Sequence, residues 1–259
     1  MNALNKTKSL RFALLLLAIG LLATTGCKKD ENPAGAGGGG RPSLPQTPTN
    51  FGGVAPQNVL VAVRGSYSMS TGIPGLPNVE IDLGQAVAKF NQGSPTAVSV
   101  VAGGQTYNLT KDGNTFYYIP SATNIQPGAT SIGIEYGSSA QFNVQGYNLT
   151  TNTVAVPSRI SISNFGSGAT LNRNSNFTVA WTGGSGGNFW QVFIVDSRGN
   201  SVTQEGTSGS SVTFAPSQLS GLATGTGQVI ALRYNYVFSN NQETVLVGEA
   251  ISTVSVNIQ

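Results

Sequence analysis

Residues 227–238 read GQVIALRYNYVF. Apolar and aromatic side chains dominate the run and no helical periodicity interrupts it, so it reads as one long β-strand. Successive side chains on a strand point to opposite faces, which lines up Tyr234, Tyr236 and Phe238 together. Only one face of a strand can enter a sandwich core, so the fate of those rings depends on which face the core takes.

Working outward, the same texture recurs. NVLVAVRGSY, NVEIDL, TAVSVV, QTYNLT, NTFYYI, TSIGIEY and AQFNVQG form a first set of short runs rich in Val, Ile, Tyr, Phe and Thr. RISISNF, NFTVAW, NFWQVFIV, SSVTFAP, ETVLVGE and STVSVNI form a second set around the long strand. KDGN (111–114) and SRGN (197–200) read as tight hairpin turns. A proline at AVPSR (155–159) interrupts the pattern, which places a boundary there. The expected fold is all-β: two tandem β-sandwich domains, residues 51–157 and 158–259.

NFTVAWTGG (176–184), VTFAPSQLSGL (212–222) and the long strand after them resemble a fibronectin type III or immunoglobulin-like domain of the bacterial extracellular kind. The resemblance covers about the last 100 residues, the size of one such domain. It implies that Trp181 is the core tryptophan closing the second strand, and that the Pro-x-x-Leu turn at Pro216–Leu219 precedes a central strand. The antibody cystine is absent, so only the architecture carries over.

The head of the chain has a different character. Lys6, Lys8 and Arg11 precede an apolar run from Phe12 to Ala23, and small residues lead to Cys27, the chain's single cysteine. That is the pattern of an export signal, and its apolar run is short of the roughly 20 residues a membrane-spanning helix needs. The Thr-Thr-Gly-Cys end resembles the lipobox of bacterial lipoproteins, with Thr24 where leucine is commonest. The resemblance implies cleavage after residue 26 and acylation, palmitate included, of Cys27. Two or more acyl chains are what stable attachment to a bilayer requires. Residues 28–50, with a glycine run and four prolines, read as a disordered tether on the order of 25 to 30 Å long. Lys28 to Glu31 also resembles the export tag of lipoproteins displayed on the outer face of some bacterial outer membranes. In starch-utilisation systems such lipoproteins hold glycans on tandem immunoglobulin-like domains. The expected location is therefore the cell outer membrane, lipid-anchored and surface-exposed.

Charge and composition narrow the chemistry. From Cys27 onward ten basic residues face ten acidic ones, so the formal +3 of the whole chain resides in the signal, and no basic stripe exists to attract nucleic acid. Histidine is absent, which removes Ser-His-Asp and Cys-His catalysis and His-bearing zinc sites. No metal or cofactor is expected, and the chain is read as not an enzyme.

Glu80 and Asp82 in VEIDL lie two apart and share a strand face. Paired carboxylates can hydrolyse glycosides, and a carboxylate-dependent glycan hydrolase is the alternative function. Ordinary in–out alternation of a half-buried strand explains them better. Asp196, Arg198 and Asn200 alternate like a calcium loop but lack its other oxygen donors, so they read as hairpin chemistry. GGSGG (183–187) and TGTG (224–227) lack the Gly-Lys-Ser/Thr of a phosphate loop. Aromatics are the best binding evidence: Trp190, Tyr236 and Phe238 are the candidate ligand platform, suited to sugar faces and protein partners alike. The resulting expectation is a lipid-anchored cell-envelope protein that acts as a non-catalytic binding or structural module, with a glycan or another envelope protein as partner.

Overall fold

Residues 51–69, 79–120 and 131–259 are described by the computed structural model, and their regular structure is almost wholly β-strand. The signal, Cys27 and the tether lie outside the described residues. The first nine strands are β1 (Asn58–Met69), β2 (Val79–Phe90), β3 (Ala97–Ala102), β4 (Gln105–Asn108), β5 (Thr110–Asp112), β6 (Thr115–Tyr118), β7 (Ser131–Gly133), β8 (Ser139–Gln145) and β9 (Thr153–Ala155). β10 (Ile160–Ile162), β11 (Ala169–Leu171), β12 (Phe177–Gly183), β13 (Phe189–Asp196), β14 (Ser201–Gly206) and β15 (Ser211–Phe214) follow. One turn of helix, α1 (Pro216–Leu219), precedes β16 (Gly225–Ser239) and β17 (Thr244–Ile258).

Hydrogen-bonded order assigns the topology. In the first half β1-β2-β6-β5 faces β4-β3-β8-β9, which in immunoglobulin lettering is A-B-E-D against C′-C-F-G. In the second half β10-β12-β15 faces β14-β13-β16-β17, or A-B-E against C′-C-F-G, with β11 running parallel beside β17. Each half has its own core. Phe90, Phe116 and Phe142 are central to the first, while Trp181, Trp190, Ile194 and Phe214 are central to the second. Leu246 of β17 belongs to the first core, whereas Ala250, Val256 and Ile258 of the same strand belong to the second.

That division of β17 reflects a fusion of the two sandwiches. The first half of β17 pairs in parallel with β1, from Asn58 opposite Thr244 to Ser66 opposite Ser252. The A-B-E-D sheet of one half and the C′-C-F-G sheet of the other thereby become a single sheet, β14-β13-β16-β17-β1-β2-β6-β5. ETVLVGE and STVSVNI, read separately from the sequence, are one strand, with Gly248 inside it beneath the crossing linker. QTYNLT divides the other way: Leu109 turns into the core, leaving β4 in one sheet and β5 in the other.

The tip of the β16–β17 hairpin is held by the first sandwich. Asn240, Asn241 and Gln242 take positive φ of 52°, 54° and 73°, a conformation Asn tolerates better than most residues. Asn240 Oδ1 accepts from Thr150 N at 2.9 Å, and Asn240 Nδ2 donates to Asn148 O at 2.9 Å. The buried Asn58 side chain accepts from Asn91 N and Gln92 N, each at 3.0 Å, and donates to Tyr147 Oη at 3.0 Å.

Candidate functional site

With both cores on one side of the merged sheet, the opposite side is an outer face. β16 sends Val229 and Ala231 to the core and Tyr234, Tyr236 and Phe238 outward. Phe189 of β13 lies opposite Tyr234 and stacks against two of these rings. Its centroid is 5.3 Å from Tyr234 at 26° between planes, and 5.1 Å from Tyr236 at 27°. Phe238 meets Tyr236 edge-on at 5.5 Å, and Phe51, from the stretch before β1, does so at 5.3 Å. Five rings thus form a continuous row, with offset and edge-on geometries that match the ring quadrupole. Phe189, Tyr236 and Phe238 are half-buried and Tyr234 is buried. Burial, with Glu205 adding to it, pushes the Tyr234 hydroxyl up to about 12.

Glu249 borders this row, directly opposite Tyr234 on the neighbouring strand. It is fully buried, neither carboxyl oxygen has a hydrogen-bond partner, and desolvation raises its pKa well above the ordinary carboxylate value. A lone carboxyl in such surroundings is held neutral.

Trp190 stands elsewhere. It packs on the core face against Trp181, with centroids 5.3 Å apart, and its Nε1 donates to Ser208 O at 2.6 Å. The expected platform of Trp190, Tyr236 and Phe238 is therefore corrected. Adjacent residues of β13 take opposite faces, and the one that joins Tyr236 is Phe189. Phe51 and Tyr234 also belong to the row. Tyr234 shares its parity with Tyr236 in the sequence, but the place of Phe51 depends on a turn that no periodicity announces.

Of the two carboxylates, Asp82 has a structural partner. Asp82 Oδ1 accepts from Arg159 Nε at 2.5 Å, tying β2 to the segment that begins the second half. Nearby, the Arg64 guanidinium donates to Pro157 O at 3.0 Å, to Gly137 O at 2.7 Å and to Tyr136 O. Burial lowers the pKa of Arg64, an effect that Asp82 opposes. Glu80 pairs with Ser68 in the register of β2, and its side chain lies outside the described residues.

Asp196 closes the β13–β14 hairpin. Its Oδ1 accepts from Arg198 N at 2.8 Å and Asn200 N at 2.9 Å, and its Oδ2 from Asn200 Nδ2 at 2.7 Å and Ala223 N at 2.6 Å. Desolvation works to raise its pKa, but these hydrogen bonds together lower it. Among the described residues no three His, Cys, Asp or Glu side chains converge as a metal site. The GGSGG loop packs on β16, where Asn235 Nδ2 donates to Gly186 O at 2.6 Å. No described helix is long and apolar enough to cross a membrane.

No protein-family model matches the chain, and no curated protein does either. Solved structures with which it aligns include fibronectin and immunoglobulin domains and bacterial adhesins. The fibronectin(III)-like modules of Clostridium thermocellum CbhA align at 8% identity and a TM-score of 0.27, over 68% of this chain and 84% of that one. The FN1–FN3 domains of chicken CNTN1 align at 11% identity and 0.25, over 76% and 65%. A 1.5-MDa bacterial ice-binding adhesin, in a structure concerned with host cell surface retention, aligns at 15% identity and 0.22, over 81% and 67%. At these scores the superpositions bear no weight, and the immunoglobulin-like topology rests on the strand order itself.

Proposed function

We propose that this is a lipid-anchored cell-envelope protein, held at the outer membrane through acylated Cys27, whose fused sandwiches act as a non-catalytic binding or structural module. The observation that supports a binding role is the row of Phe51, Tyr236, Phe238, Phe189 and Tyr234 on the outer face. Flat rings offer large apolar area at low conformational cost, which suits a glycan face or an envelope-protein partner. The lipid reading stands on the lipobox-like sequence alone.

Two measurements test the proposal. Mass spectrometry of the native protein should find a diacylglyceryl cysteine as the N-terminus, and a free Cys27 thiol there overturns the anchor. A glycan array probed with residues 51–259 should give binding that Tyr236→Ala with Phe238→Ala weakens at least tenfold. Binding untouched by that pair removes the row from the site.

A further inference from the structure

Among the described strands, β1 and β17 form the only backbone ladder between the two halves. Nine successive pairs run in parallel, from Asn58 opposite Thr244 to Ser66 opposite Ser252. Gln57 N and Asn58 N also donate to Glu243 O, at 2.8 and 3.0 Å, where the ladder begins. The ladder is dry on both faces. Leu60, Ala62 and Leu246 enter the first core, Val61, Val63, Val245 and Val247 face the other way, and none of them is more than 3% exposed. Water has no ready route to replace a stretched hydrogen bond there, and at low dielectric each bond is electrostatically stronger than at a wet edge.

Because the two strands run the same way, the chain enters and leaves the ladder at opposite ends. β1 receives the chain from Phe51 at the Asn58 end. β17 continues past Ser252 to Ile258, flanked by β16 and β11, with Val256 and Ile258 in the second core. Tension between residue 51 and the second sandwich therefore acts along the strands, and all nine pairs share it at once. Tension applied to both strands at the Asn58–Thr244 end would instead open them one pair at a time. Two contacts guard the loaded end: Phe51 packs edge-on against Tyr236 at 5.3 Å, and the Asn58 side chain ties Asn91, Gln92, Tyr147 and Thr244 together.

The rest of the first sandwich lies off this route. β2 to β9 run between Met69 and the linker, and both of those ends are fixed to the second sandwich. The ladder fixes the first end. At the other, Ser158 N donates to Ser185 O at 2.9 Å and Gly184 N to Arg159 O at 2.8 Å. Even an unfolded first core adds no length to the loaded path until the ladder yields.

We propose that the β1–β17 ladder is a load-bearing joint, which passes tension from the N-terminal side of the chain straight to the second sandwich and keeps it off the first core. The load arises between the anchor and a partner held by the second sandwich. This function goes beyond binding, and it rests on the anchor reading only for the point where load enters.

Single-molecule pulling on the chain from Cys27 to Gln259 tests it, with the native Cys27 thiol as one attachment and a second thiol at either of two exposed positions. Gln259→Cys loads the ladder in shear, whereas Asn241→Cys, in the hairpin tip near Thr244, opens it from one end. The first rupture force should be at least about twofold higher through residue 259, because nine pairs then resist together. Gln259→Cys combined with Asn241→Ser, pulled through residue 259, should keep the high force, which separates direction of load from a weakened hairpin. Equal forces in the two directions overturn the joint, as does a high force lost with Asn241→Ser or any lengthening of residues 70–157 before the main rupture. The two readings fail separately: a native protein with no lipid on Cys27 leaves the force difference standing, and equal forces leave a lipidated Cys27 intact.

Discussion

Gly248 of β17 lies so close beneath the carbonyl oxygen of Ala155 that a Cβ there would overlap it. The linker between the two cores crosses the merged sheet at this point, just before Arg64 and Asp82 fix Pro157 and Arg159. Gly248→Ala should push the linker off the sheet and cost about 1–3 kcal/mol, as overpacking in a well-filled interior does. At about 2–4 °C per kcal/mol for a body of this size, calorimetry should show a melting point several degrees lower. An unchanged melting point would mean the linker yields freely.

Much of the fold was legible in the sequence, and the exceptions share a cause. Alternation and turn residues predicted an all-β chain, the KDGN and SRGN hairpins, and a strand for GQVIALRYNYVF, because each depends on residues adjacent in sequence. The parallel pairing of β1 with β17 depends on residues nearly two hundred apart, and nothing local in NVLVAVRGSY marks it. The continuity of ETVLVGE and STVSVNI as one strand was hidden for the same reason: Gly248 within it is explained by Ala155 across the sheet. At the site, Tyr236 and Phe238 were identifiable by parity within β16. Choosing Phe189 over Trp190 required the register of β13 and the side taken by Trp181, and both are tertiary facts.

Asn58 is fully buried and joins four segments through its one side chain. Asn58→Ala strands the Asn91 and Gln92 amides and removes the donor to Tyr147, whose hydroxyl in turn donates to Glu243 at 2.9 Å. Each such hydrogen bond is worth about 1 kcal/mol net, and the loss should appear as a lower denaturant midpoint with unchanged slope. Asn58→Asp, which keeps the two accepting contacts, should recover part of it. Equal midpoints for Ala and wild type would mean water replaces the network.

The Asp82–Arg159 pair should contribute little despite its short distance. Its side chains are 35% and 34% exposed, so water and salt screen the attraction, and about 1 kcal/mol is the upper end for such pairs. Asp82→Asn should lower the melting point by no more than a few degrees, with the difference shrinking in 1 M salt. A large, salt-independent loss would show that the pair carries the linker by itself.

Glu249 gives the protein an unusual response to pH. Unfolded, its carboxyl titrates near 4.3, whereas burial keeps it protonated to much higher pH in the folded chain. Below about pH 4 both states hold the proton and no penalty arises. As pH rises from there toward the folded pKa, the unfolded state alone releases the proton, so this residue subtracts about 1.4 kcal/mol from stability per pH unit. Tyr234 beside it, pushed up to about 12, stays neutral through that window and supplies no compensating charge. Glu249→Gln preserves shape and an acceptor while removing the titration. Denaturant midpoints of variant and wild type should coincide at pH 3.5 and separate progressively by pH 8, with the glutamine variant more stable. Parallel profiles across that range would mean that Glu249 is ionised and solvated in the folded protein, and that the outer face is open to water at its centre.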